Sequence, residues 1–417
     1  MRIAIISKAD RFGGGASRVA EELCALLQAS GHTAHQYVSS AVDLKSDMKS
    51  LYGGRWIGKG VGFAHLITQR LGLQEIIPWE YFILRFANGL MDYDLVHFHD
   101  LSSAVSPLTV RWVARRIPTV WTFHDYAAFT GGCIFPMDCA KYLSSCGACP
   151  QMDLWPLSRS MGIDFTRTML RLKRNAFRNV AVHVVAPSRW MAETARGSGF
   201  QFEHLSIIPY GIDVSLYRPV DKLKVRQRLG LVTTKPVVLL SAGDITDKRK
   251  GTIYAIQALK KCYPQLDPLV LVVGKMNLDA RQLFDAIEVF ETGYLTDDKK
   301  KAEYFAAADV FLFCPLDDNI PLTILETMAT QTPMVGFATG GIPEVVEHQK
   351  SGYLASKGDV QGVVEGLRLA FHEKRLALWG AAGRKKLESH YTHEIFLESH
   401  LRLYGELTRQ EPSSQIR

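Results

Sequence analysis

The chain has 417 residues, a formal net charge of +7, 47% hydrophobic residues and 22% charged residues. At roughly 100–200 residues per domain this length suggests two or three domains, and the composition excludes a mostly disordered chain, a collagen and a disulfide-dense mini-protein. The charge is uneven, with 22 Lys+Arg against 16 Asp+Glu in residues 1–205 and 27 against 26 in the rest.

Residues 2–7 (RIAIIS) read as a short buried strand. Gly13, Gly14 and Gly15 follow, then ASRVAEELCALLQASG, where Val19, Leu23, Leu26 and Leu27 fall at helical spacing and Gly31 closes the helix. This is the opening of a βαβ unit. YDLVHFHD (93–100), PTVWTFHD (118–125) and HVVAPS (183–188) read as further buried strands, with helical patterns between them. The pattern then restarts with strands at 235–243, 268–275, 308–316 and 333–338, and helices at 251–262 and 322–331. Such alternation predicts open parallel α/β sheets, two Rossmann-like halves in all. The segment 208–222 (IPYGIDVSLYRPVDK) reads as the linker region, and 392–410 as a final amphipathic helix. The tail after Glu411 reads as disordered.

No run approaches the ~20 apolar residues of a membrane helix. The Ile3–Ile6 run is too short for a signal peptide. A cytoplasmic protein is expected. The basic first half fits an anionic membrane surface or phosphate-rich substrates, or is ordinary scatter. The stretch 167–180 (RTMLRLKRNAFRNV) is a basic amphipathic helix, placed either peripherally on anionic lipid at the inner membrane face or packed against its own domain.

Ligands of open α/β sheets bind beyond the carboxyl ends of strands. At the first such place, KADRFGGGASRVA offers small residues and a helix N-terminus to a phosphate, or is a plain tight turn. It is neither G-x-G-x-x-G nor a P-loop, so a nicotinamide oxidoreductase is not indicated. In the second half, Lys248, Arg249, Lys250 and Gly251 stand between a strand and a helix, a diphosphate clamp or a solvated charge run. Asp318 and Glu326 are eight apart, the first in a loop and the second one turn into a helix that starts at Leu322. The amides at Leu322 and Thr323 can hold phosphate oxygens, while a carboxylate accepts from sugar hydroxyls.

Four of the seven cysteines, Cys133, Cys139, Cys146 and Cys149, lie in one insert at 131–151. Clustered thiols in a cytosolic chain suggest a structural zinc site first, then an iron–sulfur cluster, or free or paired thiols. The basic residues are not interleaved with aromatics in a patch, so no nucleic acid is expected as a partner.

The chain resembles glycosyltransferase family 4, the retaining glycosyltransferases of two-Rossmann GT-B fold. The resemblance rests on the opening glycine loop, DLVHFH, TFHD, IIPYGIDVSLYRP, KGTIYAIQAL and the long block from YFAAADVFLFCPLDDNIPLTILETMATQTPMVGFATGGIPEVV to EHQKSGYL. Tyr210 replaces the usual Asn, Asp318 replaces the usual Glu of an E-x7-E pattern, and Gly243-Asp244 stands where G-R is common. The resemblance implies an α/β chain with an acceptor-side domain (1–207, including the insert), a nucleotide-sugar domain (208–390) facing it across a cleft, and a terminal helix (391–410) returning to the first domain. It implies sugar transfer from a nucleotide-sugar to a glycan or lipid-linked saccharide acceptor in exopolysaccharide, capsule or lipopolysaccharide assembly. The alternative is a catalytically impaired GT-B-like partner subunit. Glu326 would bind ribose hydroxyls, Asp318 hydroxyls of the transferred sugar, and Lys250 the leaving diphosphate. Arg249 would replace the missing strand-end Arg, Gly14 and Gly15 would offer backbone amides, and His124 would sit near the donor sugar. No catalytic metal is expected.

Overall fold

The computed structural model describes residues 1–409 apart from 43–44, 54, 71–72, 74–75, 87–88, 103, 153, 158–162 and 373–374. The tail expected to be disordered lies outside the described residues. The chain divides into two compact units, one made of Met1–Pro209 and the stretch from Phe396 onward, the other of Tyr210–Ile395.

The first unit holds β1 (Arg2–Ala9), β2 (Thr33–Ser40), β3 (Met48–Ser50), β4 (Leu95–Phe98), β5 (Thr119–Thr122), β6 (His183–Ala186) and β7 (His204–Ile207). They form one parallel sheet of order β3-β2-β1-β4-β5-β6-β7. The second unit holds β8 (Val237–Asp244), β9 (Leu269–Lys275), β10 (Glu288–Glu291), β11 (Val310–Phe313), β12 (Met334–Phe337) and β13 (Gly352–Ala355). Its sheet is also parallel, in the order β10-β9-β8-β11-β12-β13. β4, β5, β11 and β12 are buried at every residue. Their apolar runs follow from having helices on both faces. In each sheet the strand order reverses once, between β1 and β4 and between β8 and β11. A crevice opens at such a point beyond the strand ends.

The first unit carries a polar thread through its core. His97 on β4 shares a hydrogen bond of 2.6 Å between its Nδ1 and the Tyr404 hydroxyl, and one of 2.7 Å between its Nε2 and the Thr122 hydroxyl. Tyr404 lies on the last helix, His393–Arg409, so this contact fixes that helix against the sheet. The rings of His99 and His400 stand 4.1 and 5.5 Å from His97. His99 Nδ1 in turn lies 3.0 Å from His124 Nε2. Burial, with the neighbouring imidazoles, holds His97 and His99 well below the ordinary histidine range. Burial pulls His124 down to about 3 and His400 to about 4.

These histidines are neutral when folded, and the unfolded chain takes up their protons first. Their contribution is complete above the ordinary histidine pKa of about 6.5 and shrinks as pH falls toward about 4, by roughly 1.4 kcal/mol per pH unit for each histidine. The urea midpoint of the first unit should therefore drop steadily below about pH 6.5. A midpoint unchanged between neutrality and pH ~5 would contradict this account.

Candidate active site

Of the cations and carboxylates singled out in the second half, Arg249, Lys250 and Asp318 meet at the β8/β11 reversal. β8 runs into a loop that ends in a short 3-10 turn, Lys248–Lys250, capped by the Asp247 side chain. β11 runs into the loop that carries Asp318 and ends at the helix Leu322–Ala329. Two glycines bring these loops together. Gly251 has φ +65°, and a Cβ there would run into the Cys314 carbonyl. Leu316 N–H then donates to the Arg249 carbonyl at 2.8 Å. Gly340 has φ +59°, and a Cβ there would run into the Asp318 carbonyl. Gly341 N–H donates to the Asn319 carbonyl at 3.0 Å. Only glycine adopts this left-handed geometry with a carbonyl so close.

Asp318 Oδ2 consequently accepts from Lys250 Nζ at 2.6 Å and from Arg249 Nη1 at 2.9 Å. Asn319 N–H donates to its Oδ1 at 3.1 Å. Burial alone would raise this carboxyl, but the Lys250 ammonium and the Arg249 guanidinium outweigh it and hold it below the usual carboxylate range. Burial also draws the Lys250 ammonium down, against the pull of Asp318. Two cations converge on one buried acid, so a competing anion finds both in place. Beside them, the helix Leu322–Ala329 begins after Pro321 with no side-chain cap. Its first amides, at Leu322 and Thr323, have no intrahelical partner.

Glu326 lies one turn inside that helix and is fully buried. Its Oε1 accepts from Lys301 Nζ at 2.7 Å and from the Tyr217 hydroxyl at 3.0 Å. The site is more enclosed than its sequence position suggested. Neither partner was foreseen. Lys301 belongs to the run DDKKK and Tyr217 to the linker segment. At the ends of β9 and β10, Gly274 N–H donates to the Gly293 carbonyl at 3.0 Å. Lys275 stands over the Tyr294 ring at 6.0 Å.

Gly14, Gly15 and His124 belong to the first unit. Gly14 precedes the helix Gly15–Ala29, which has no side-chain cap, and nothing lies within 4 Å of where a Gly14 side chain would stand. The opening amides of this helix have no intrahelical partner. His124 and Asp125 follow β5, and His99 and Asp100 follow β4. They line a small cavity of about 30 Å³ with Lys173, room for one water. Burial and the nearby Asp100 push the Asp125 carboxyl up to about 7. His99, Asp100 and Asp125 went unremarked in the sequence. The signal was present, because HFHD and TFHD both place His-Asp just past a strand.

Two family descriptions match the chain, "Glycosyltransferase Family 4" over residues 13–216 and "Glycosyl transferases group 1" over residues 236–372. The chain belongs to glycosyltransferase family 4. It is 25% identical to the putative colanic acid biosynthesis glycosyl transferase WcaC of Escherichia coli, over 75% of this chain and 76% of that one. It is 29% identical to the amylovoran biosynthesis glycosyltransferase AmsK of Erwinia amylovora, over 47% of this chain and 49% of that one. Across the first curated relatives the matched stretch spans 49% to 76% of their length. The solved structure of Anabaena HepE in complex with UDP-glucose superposes with a TM-score of 0.67 at 17% identity, over 97% of this chain and all of that one. The fold is the two-Rossmann GT-B architecture of this transferase family.

The sequence expectation of a zinc site falls on the cysteine insert. Cys133, Cys139, Cys146 and Cys149 are free thiols. Among the described residues no group of three or more His, Cys, Asp or Glu is disposed to hold a metal ion. The expected zinc site is therefore not supported. Cations fix the loop instead. Arg174 donates to the carbonyls of Tyr142, Ser144 and Ser198, Arg167 to that of Cys146, and Lys141 to that of Ala148. Arg167 and Arg174 belong to the helix Thr166–Ala176, whose Met169 and Leu170 are buried, as is Phe177 beyond it. Of the two readings of 167–180, the structure shows the helix packed against its own unit.

Replacing Gly340 by Ala should break the Asp318 loop geometry. The cost should be roughly 2 kcal/mol or more from left-handed strain and overpacking. Thermal unfolding would report it, and a variant as stable as the parent would contradict the packing described.

Proposed function

We propose that this chain transfers a sugar, with retention of anomeric configuration, from a nucleotide-sugar to a glycan or lipid-linked saccharide acceptor in surface polysaccharide assembly. One observation carries the reading: Arg249, Lys250 and Asp318 converge beside an uncapped helix N-terminus at the sheet reversal. The names of WcaC and AmsK support a polysaccharide setting, and UDP-glucose in HepE supports a nucleotide-sugar donor. No helix among the described residues is long and apolar enough to cross a membrane.

In the free protein Asp318 is the counter-ion of both cations. The donor diphosphate takes its place, and Asp318 turns to the hydroxyls of the transferred sugar. The bond between the anomeric carbon and the phosphate oxygen breaks toward a cation-like sugar. Negative charge then grows on the diphosphate, where Lys250, Arg249 and the amides of Leu322 and Thr323 stabilise it more than in the ground state. The acceptor oxygen bonds to the anomeric carbon from the same face, and its proton passes to the leaving phosphate. Glu326, kept in place by Lys301 and Tyr217, holds the ribose hydroxyls. The segment Gly293–Leu295 borders the base. Gly14 and Gly15 offer amides to the diphosphate and acceptor. His124 is neutral, so it polarises a sugar hydroxyl without repelling the developing cation. Asp318, on which the impaired-subunit alternative rested, engages both cations despite its shorter side chain.

A thermal-shift panel of nucleotide-sugars, UDP-glucose first, should reveal a stabilising donor, and that donor should be slowly hydrolysed. Lys250→Ala should lower turnover about 10²–10³-fold with an unchanged fold. No shift with any nucleotide-sugar, or full turnover in Lys250→Ala, would overturn the reading.

A further inference from the structure

The first unit has its own strand reversal, between β1 and β4. Backbone pairing of these strands runs to their very ends. His99 N–H donates to the Ile6 carbonyl and Lys8 N–H to the Asp100 carbonyl, both at 2.8 Å. Lys8 and Asp100 therefore stand side by side where a crevice opens beyond the strands. Their side chains meet as well, with Lys8 Nζ 2.7 Å from Asp100 Oδ2. The same ammonium lies over the Trp155 ring, 4.2 Å from its centre.

Trp155 is held in the open by an anchored turn. Met152 and Leu157, on either side of it, are buried. Leu154 N–H donates to the Gln151 carbonyl at 3.1 Å, and Leu157 N–H to the Leu154 carbonyl at 2.8 Å. The indole between these anchors is nevertheless 52% exposed. It forgoes much of the burial that makes tryptophan valuable, and so offers a flat apolar wall to a ligand.

The pair beside it sets one cation against one acid, so it attracts no further ion, in contrast to the two cations on Asp318. It presents ammonium donors and carboxylate acceptors next to each other. Vicinal hydroxyls, each of which both donates and accepts, match that pattern. A pyranose carries such hydroxyls along its edge and C–H groups on its face, and the C–H face is what an indole covers. Asp100 also lines the small cavity shared with His99 and His124. Buried His99 Nε2 has no hydrogen-bond partner among the described residues. A buried polar atom left so is costly, and the cavity admits one hydroxyl or water to relieve it.

We propose that Trp155, Lys8 and Asp100 form a subsite for an uncharged pyranose ring of the acceptor. The C–H face of the ring packs on the indole, and two neighbouring hydroxyls engage the ammonium and the carboxylate. This rests on the reading of the chain as a sugar transferase and names the chemistry of its acceptor. These three side chains set acceptor specificity, and no bond is made or broken through them.

The test is saturation-transfer-difference NMR on the full chain, without nucleotide. The probes are the methyl glycosides of glucose, galactose and mannose, with methyl glucuronoside as a charged counterpart. At least one neutral glycoside should show transfer concentrated on the C–H protons of one ring face, and the glucuronoside should bind more weakly. Trp155→Ala, altered at an exposed position, should weaken binding of that glycoside about tenfold, and Trp155→Phe should restore part of it. Asp100→Asn, checked for folding by thermal unfolding, should also weaken it about tenfold. Trp56→Ala, at a tryptophan 82% exposed elsewhere in the unit, should bind as the wild type does. Absence of transfer to every neutral glycoside overturns the proposal. So does unchanged binding in Trp155→Ala or in folded Asp100→Asn, an equal loss in Trp56→Ala, or glucuronoside binding as tight as that of the neutral sugars. Donor binding is read separately, by thermal shift with UDP-glucose. A chain stabilised by a nucleotide-sugar but blind to glycosides loses only this subsite, and one that binds glycosides but no nucleotide-sugar keeps the subsite and loses the transferase reading.

Discussion

A single buried carboxylate organises the strand-end surface of the second unit. Asp318 draws an ammonium and a guanidinium from another loop onto one oxygen. Cations held so close to each other repel, and their partial burial removes water that would otherwise screen them. The carboxylate makes the arrangement stable. Everything that sets this contact serves to bring the β8 and β11 loops together. Gly251 and Gly340 admit a neighbouring carbonyl where any side chain would stand. The Asp247 cap closes the turn that aims Arg249.

The first unit solves a different problem. It places several histidines deep inside and keeps them neutral, with hydrogen bonds where a charge would be ruinous. The bond from His97 to Tyr404 also ties the end of the chain to its beginning. The same burial makes the unit sensitive to acid.

Legibility in the sequence followed burial. β1, β4, β5 and β6, and β8, β9, β11 and β12, were all visible as apolar runs, and all lie inside their sheets. β3, β7, β10 and β13 are the four sheet edges and went unread, together with β2 beside one edge. β7 and β10 show why, since both are exposed at their ends and only half-buried between. A strand paired on one side need not be apolar on both faces. For the helix at 167–180 the sequence left lipid contact and internal packing both open. Its basic face looked free for lipid, yet Arg174 and Lys173 spend their donors on carbonyls distant in sequence.

The sequence by itself determined the parallel α/β plan, the family, and the glycine, cation and carboxylate residues at the strand ends, because these are local in the chain or recur as spaced motifs. Tertiary structure alone decided which charges meet. Lys301 and Tyr217 reach Glu326 across 25 and 109 positions. Pairing of this kind depends on where the backbone returns after long separations, which no local pattern encodes.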